Sequence, residues 1–438
     1  MADKTSLRVG VIGLGTVGSG LVRTLQRNRD QIVRNAGMPV DIVVVADINP
    51  DAFSRVNLTG IETTNDAGRI IHNERIDCVV ELIGGTGIAR DIVLDAFRAG
   101  KDVVTANKAL LATHAQEIFR AAEQYGRKIH FEGAVGGGIP IIQSLYGGLG
   151  AATVTQIHAI INGTCNYILT AMEKQGRSFR DVLKEAQKLG YAEADPTFDI
   201  EGHDSGHKIA ILASIACNTA IDFKDVHLEG IRDITVDDIK FGKELGYTLK
   251  LLAIAKDYRD SIDVRVHPTF IPNENLLASV HGVHNAVYTC APGLGAVMLY
   301  GRGAGDLPTG NAVASDLIQA ARDKAARQPI SYRNFYEKRK PVRDMADIEG
   351  SYYLRCIVSD QAGVLATISH ILGEHNISVS SMIQTEAGKD GVCPIVFMTH
   401  EAREGNVKKA LEKIAKQDVV KAKPKLIRLE RIEEITQF

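Results

Sequence analysis

The six cysteines stand singly, at positions 78, 165, 217, 290, 356 and 393, and none forms a C-x-x-C pair. A disulfide framework and a zinc knuckle are both disfavoured on that ground. Neither sign of charge prevails, since 51 Lys and Arg face 53 Asp and Glu for a net charge of −2. Nucleic acid and a polybasic membrane anchor each require a basic excess, so neither partner is expected. No apolar run reaches the ~18 residues of a membrane span. The opening MADKTSLRVGVIG has no basic-then-apolar leader, and a cytoplasmic protein with reduced thiols is the expectation.

What is present is the composition of a globular chain, 45% hydrophobic and 24% charged. Its 438 residues suggest about three domains at ~150 residues each. Residues 7–12 (LRVGVI) read as a short buried strand. Gly13-Leu14-Gly15-Thr16-Val17-Gly18 follows and leads into SGLVRTLQRN, which has helical spacing. A lone G-x-G-x-x-G is weak in a chain with 41 glycines. Between a strand and a helix it is a dinucleotide fingerprint. Gly13 permits the turn, Gly15 lets backbone approach a pyrophosphate, and Gly18 lets helix pack on strand. The alternative is a Gly-rich turn with no ligand.

The next strand ends at Asp47, where an acid suits the ribose hydroxyls of NAD and repels the extra phosphate of NADP. Asp47 could instead cap the turn before Pro50, and Arg55 nearby could reach a 2′-phosphate. CVVELIGG (78–85) ends in Gly84-Gly85, where a cofactor could approach backbone. KDVVTANK (101–108) carries Lys108 at the carboxyl end of a strand, where ligands of open parallel sheets sit; the competing reading is a solvated lysine.

The middle of the chain is rich in acids. LGYAEADPTFDIEGHDSGHKIAILASIA (189–216) gathers Glu193, Asp195, Asp199, Asp204 and Lys208. Asp204 and Lys208 are i,i+4, on one helix face. The bland reading is a surface ion pair. The apolar run after Lys208 argues that the helix is buried, and a buried acid–lysine pair often belongs to a site. His203 and His207 share the same spacing, but H-D-S-G-H is not a zinc motif. INGTCNYIL (161–169) is a polar junction that could cap a helix or meet substrate. Gly303, in GRGAG, is expected to return beside the first domain and touch the cofactor.

Together these segments resemble the homoserine dehydrogenase family. The likeness spans the chain, through the turn at 13–18, TANKALLA (105–112), EGAVGGGIP (132–140), INGTCNYIL, GYAEADPTFDIEGHDSGHK (190–208) and GRGAG (301–305). It implies NAD(P)-linked interconversion of L-aspartate 4-semialdehyde and L-homoserine, between aspartate and threonine, methionine and isoleucine. It places catalytic lysines at Lys208 and Lys108, the latter also beside the cofactor. Substrate contacts fall on Glu193, Asp204, Asp199 and Gly190. It implies a sodium ion held by Glu132, Val135, Gly137 and Ile139.

Beyond 350 the order βαββαβ reads as ferredoxin-like. The turn Asp360–Leu365 and Asn376-Ile377 resemble an ACT regulatory module, which implies an amino-acid effector, threonine first, bound between paired copies. A homodimer or homotetramer follows. The expected architecture is α/β, with a Rossmann-like doubly wound domain over 1–140 onto which 305–335 packs back. An α+β catalytic and dimerisation domain covers 141–304. A linker covers 337–350, free enough for the ACT module (351–438) to move as a unit. The rival readings are a non-catalytic nucleotide sensor and another ACT-tailed dehydrogenase, which would use an Arg/His/acid set.

Overall fold

The computed structural model describes residues 6–326, 336, 338–386, 388 and 391–432. Short β-branched runs form six parallel strands: β1 (Leu7–Ile12), β2 (Val40–Ala46), β3 (Glu62–Thr64), β4 (Cys78–Glu81), β5 (Asp102–Thr105) and β6 (Ile129–His130). Their order is β3-β2-β1-β4-β5-β6. This is the doubly wound dinucleotide-binding order, with its switch point at β1/β4. Both faces of β1 and β4 are buried, which is why these strands read as continuous apolar runs rather than alternating ones. The helix Asp306–Ala326 lies against the first domain. Its Val313, Leu317 and Ala321 share one apolar core with Val9, Val11 and Leu21. Gly310 and Gly20 let that helix and Thr16–Arg27 touch, since a Cβ on either would meet backbone within about 2.5 Å. Residues 327–335 of the expected return segment lie outside the described residues.

Among the described residues the second sheet has eleven strands. Those from the middle of the chain are β7 (Gln156–Ile160), β8 (His227–Leu228), β9 (Tyr247–Asp257), β10 (Ile262–Pro272), β11 (His284–Ala291) and β12 (Gly295–Arg302). The last quarter adds β13 (Glu349–Ser359), β14 (Val379–Gln384), β15 (Val392–Thr399), β16 (Ala402–Arg403) and β17 (Lys425–Leu429). Nine of them run in the order β12-β11-β7-β9-β10-β17-β13-β15-β14, and β8 pairs with β10 and β16 with β13. The helices Val364–Glu374 and Glu404–Ala415 complete the βαββαβ module.

The catalytic and C-terminal sheets are thus one sheet, joined at β17. That strand pairs parallel with β10 (Thr269 with Arg428, Phe270 with Leu429) and antiparallel with β13. The expectation of a free linker needs correction. Residue 337 lies outside the described residues, but from 338 onward the segment is bonded to the catalytic domain. Ala220 N–H donates to Lys338 O, Lys340 Nζ meets both Asp257 oxygens, and Ile262 N–H donates to Pro341 O while its own carbonyl accepts from Arg343 N–H. Met345 and Ile348 are buried, and β13 begins at Glu349. A charged stretch without apolar period is held by backbone pairing that no side-chain pattern announces.

Candidate active site

The Gly-rich turn leaves β1 with three glycines in three different surroundings. Gly13 has φ +101°, and a Cβ there would lie 2.7 Å from Leu82 backbone. A Cβ on Gly18 would lie 2.1 Å from Gly13 O. At Gly15 a Cβ would meet nothing within 4 Å, so the approach to the helix Thr16–Arg27 is open. That helix has Gly15 at its N-cap and no side-chain cap, leaving N–H groups for an anion. Leu14 is buried, Thr16 is exposed and Val17 is half-buried. The residues therefore fit a dinucleotide pyrophosphate. Asp47 Oδ2 accepts from Leu14 N at 2.7 Å and Oδ1 accepts from Asn49 N at 2.8 Å. One carboxylate thus braces the turn and its own loop, and each oxygen keeps a lone pair.

The loops after β4 and β5 meet beside this turn. Gly84 and Gly85 have φ of +76° and +74° and are exposed. Glu81, wholly buried, takes Thr105 Oγ1 at 2.7 Å and Ile83 N at 2.9 Å. Asn107 Nδ2 donates to Gly85 O at 2.7 Å, while its Oδ1 caps the helix Lys108–Gln124 by accepting from Leu110 N. Lys108 therefore begins a helix at the carboxyl end of a parallel strand.

Lys108 meets the buried helix His203–Ala216 there. Asp204 lies between two ammonium groups, with Lys208 Nζ at 2.6 Å and Lys108 Nζ at 3.3 Å. Lys208 Nζ also donates to Ile161 O at 2.7 Å. Among the described residues two of its three donors are taken and one is spare. Burial alone would raise the Asp204 carboxyl, but Lys208 and Lys108 outweigh it and bring it down to about 2. Asn162 caps the helix Gly163–Gln175, accepting from Cys165 N at 2.8 Å, and its amide donates to Asp199 at 2.7 Å and Asp204 at 3.0 Å. Burial and the neighbouring Asp204 raise Asp199. Lys108 Nζ lies 5.8 Å from the Phe198 ring centroid. His207 packs edge-on against Phe223 and Phe198, and burial together with Lys108 lowers it to about 4.

The cluster thus brings together Lys108, Lys208, Asp204 and Asp199. Glu193 is exposed on the loop before the Thr197–Ile200 helix, and its backbone carbonyl accepts from Gln187. Gly190 opens that loop at φ +74°. Gly303 is packed against Asn285 and lies over Gly137, where a Cβ would meet Gly303 O at 2.5 Å. The residues Glu132, Val135, Gly137 and Ile139 form one turn. Both Glu132 oxygens accept backbone N–H groups, from Ile142 at 2.9 Å and Gln143 at 2.7 Å, and Ile139 O accepts from Ile141. Burial raises the Glu132 carboxyl to about 7. Among the described residues no group of three His, Cys, Asp or Glu could hold a metal ion. Asn162 was visible in the sequence only as a polar junction, and Glu81 carried no signal beyond ending a strand.

Three family models cover the chain: the homoserine dehydrogenase NAD-binding domain over 13–132, homoserine dehydrogenase over 140–318, and an ACT domain over 352–417. A homoserine dehydrogenase of Neisseria gonorrhoeae is 42% identical over 433 residues, covering 98% of this chain and 99% of that one. The chain belongs to the homoserine dehydrogenase family. A crystal structure of a homoserine dehydrogenase from Thiobacillus denitrificans superposes with a TM-score of 0.93 at 42% identity, covering 98% of this chain and 99% of the other. One from S. aureus superposes at 0.75 with 29% identity, over 97% and 99%. The expected α/β architecture and NAD(P)-linked oxidoreductase activity stand, and neither a non-catalytic sensor nor another ACT-tailed dehydrogenase is favoured. The family's NAD-binding model spans Lys108, and its catalytic model spans Asp204 and Lys208. Among the described residues no helix is long and apolar enough to cross a membrane.

Proposed function

We propose that the Lys108–Asp204–Lys208 cluster is the proton-handling centre of the homoserine dehydrogenase reaction, and that Asp199, Glu193 and Gly190 form the substrate side of the cleft. NAD(P), when bound along the Gly13–Gly18 turn, Asp47, Gly84-Gly85 and Gly303, supplies or accepts the hydride. Lys208 gives its proton to the carbonyl oxygen of aspartate semialdehyde as that oxygen becomes an alkoxide, and takes it back in the reverse direction. Lys108 adds a second positive charge beside that oxygen. Asp204 orients both ammonium groups, and the acids Asp199 and Glu193 attract the substrate's α-ammonium. The observation that carries this reading is a buried carboxylate bridging two lysines, one of which retains a free donor. The test is oxidation of NADH or NADPH by the purified chain with aspartate semialdehyde; absence of turnover with both would end the reading.

Three finer points belong to the same proposal. Glu132, with the carbonyls of Val135, Gly137 and Ile139, would hold sodium. In support, among the described residues no cationic side chain pairs with Glu132 or with the buried Asp316 behind it, which accepts from Glu132 N. The ACT module would bind threonine between paired copies in a homodimer or homotetramer, and the cell compartment would be the cytoplasm, in keeping with six free, buried thiols. Gly363 begins the effector loop's helix at φ +92°. Gly363→Asp puts both a charge and a Cβ there, and threonine inhibition of the intact chain should be lost in it. Equal inhibition of both chains would overturn the assignment.

A further inference from the structure

We propose that Arg428, on the final strand, is a positioning residue for the acid side of the active site. It acts through Glu229 and the 229–232 segment on the backbone at 200–202, and it rests on the roles proposed above for Asp199 and Asp204. Arg428 lies outside the matched ACT segment, which ends at 417.

The sheet sets up the contact. β8 and β17 both run parallel to β10 and pair with successive parts of it, β8 with Arg265 and Val266, β17 with Thr269 and Phe270. The residue that follows β8, Glu229, is thereby brought beside Arg428. Arg428 is 5% exposed, and its guanidinium grips two carboxylates with both arms. Its Nη1 and Nη2 donate to Glu229 at 2.8 and 2.7 Å, and its Nε and Nη2 donate to Glu404, both at 2.7 Å. Burial would raise the Glu229 carboxyl, but Arg428 and His227 overcome it and hold the group well below the usual range. Such a fork fixes direction as well as charge.

Glu229 opens a segment that is fastened to the acid loop. Ile231 N donates to Ile200 O at 2.8 Å, and Arg232 Nε meets Glu201 at 2.5 Å. Gly230 sits so close that a Cβ there would lie 2.2 Å from Ile200 O and 2.6 Å from Glu201 Cα. Residues 200–202 join the short helix Thr197–Ile200, which carries Asp199, to the helix His203–Ala216, which carries Asp204 and Lys208. The backbone between the two acids thus rests on a segment whose far end Arg428 holds. Glu404 starts the ACT helix Glu404–Ala415 and lies on the other side of the same guanidinium.

The two arms supply an internal control. Loss of either carboxylate weakens one buried pair, whereas only the Glu229 arm reaches the acid loop. In the full chain, Arg428→Met and Glu229→Gln should each raise KM for homoserine about tenfold while KM for the nucleotide changes less than about twofold. Arg428→Lys, which keeps the charge and loses the fork, should fall between. Glu404→Gln should lower Tm and leave KM for homoserine unchanged. If Arg428→Met does not fold, Glu229→Gln reads the same contact. The proposal is overturned if homoserine KM is unchanged in folded Arg428→Met or Glu229→Gln, if both KM values rise together, or if Glu404→Gln raises homoserine KM equally. Asp204→Asn separates it from the site reading. A fully active Asp204→Asn removes that reading and this proposal with it. An impaired Asp204→Asn beside unaltered Arg428 and Glu229 variants removes this proposal alone.

Discussion

Two buried charge clusters lie on the same catalytic domain, and they differ in how completely their charges are matched. At the seam with the ACT module, Glu430 takes Lys256 at 2.5 Å and Arg265 at 3.0 Å, and Arg265 also pairs with Asp263. Arg265, Asp263 and Glu430 are each no more than 6% exposed. At the other cluster one carboxylate, Asp204, serves two ammonium groups, and the Lys108 side chain is 33% exposed. At the seam two cationic side chains face two carboxylates, though among the described residues the buried Arg265 Nε is left without a partner, while at the Asp204 cluster two ammonium groups share one carboxylate. Burial of an ion pair is common to both and is weak evidence of function. The excess of ammonium over carboxylate at the carboxyl end of β5, beside the Gly-rich turn, distinguishes the reactive cluster from the architectural one.

The largest effect should come from breaking the reactive cluster. Lys208→Ala is expected to cut kcat by about 10²–10⁴-fold with nucleotide affinity retained, as read by steady-state kinetics and NADH fluorescence titration. Next comes the seam. Deleting everything after residue 345 removes β17, and with it Glu430 from Arg265 and Lys256 and Arg428 from Glu229. Tm should fall by on the order of 10 °C, or the product should be insoluble. A truncated chain as stable as the whole would mean that the shared sheet contributes nothing.

How much of this was legible in the sequence depends on the range of the interaction. The Gly13–Gly18 turn was readable because each glycine's task is set by neighbours within a few residues. Asp204 and Lys208 were readable because i,i+4 spacing and an apolar run place them on one buried helix. Asn162 was not, since its partners Asp199 and Asp204 lie 37 and 42 residues away. The pairing of β17 with β10 spans about 160 residues and is made by backbone, so KPKLIRLERI read only as a last ACT strand. The same blindness made 337–350 look like a free linker.

Smaller effects sharpen the contrast between matched and unmatched acids. Among the described residues no cationic side chain pairs with Glu132, and its folded pKa of about 7 lies above its ordinary 4.5. The folded chain therefore binds a proton that the unfolded chain has released. That stability is complete below about pH 4.5 and is lost as pH rises through about 7. Glu132→Gln is neutral at every pH, so its Tm relative to that of the parent should rise from pH 5 to pH 8. Sodium chloride should shrink that rise at pH 8 more than choline chloride does; equal effects of the two salts would count against the sodium site. The smallest effect concerns Asp47. Asp47→Ala releases Leu14 N–H and should weaken both nucleotides, but NADH about tenfold more than NADPH. An unchanged ratio of the two dissociation constants would show that this acid only braces the turn.

The most direct test pairs kcat with Tm in Lys208→Met and Arg265→Met, which remove one cation from each cluster. Lys208→Met should lose turnover by orders of magnitude with Tm within a few degrees of the parent. Arg265→Met should lose several degrees of Tm, because Asp263 and Glu430 are left buried and underpaired, and keep kcat within a few-fold below its melting range. A Lys208→Met enzyme that turns over normally, or a stable Arg265→Met enzyme that has lost turnover, would contradict the assignment of one cluster to chemistry and the other to architecture.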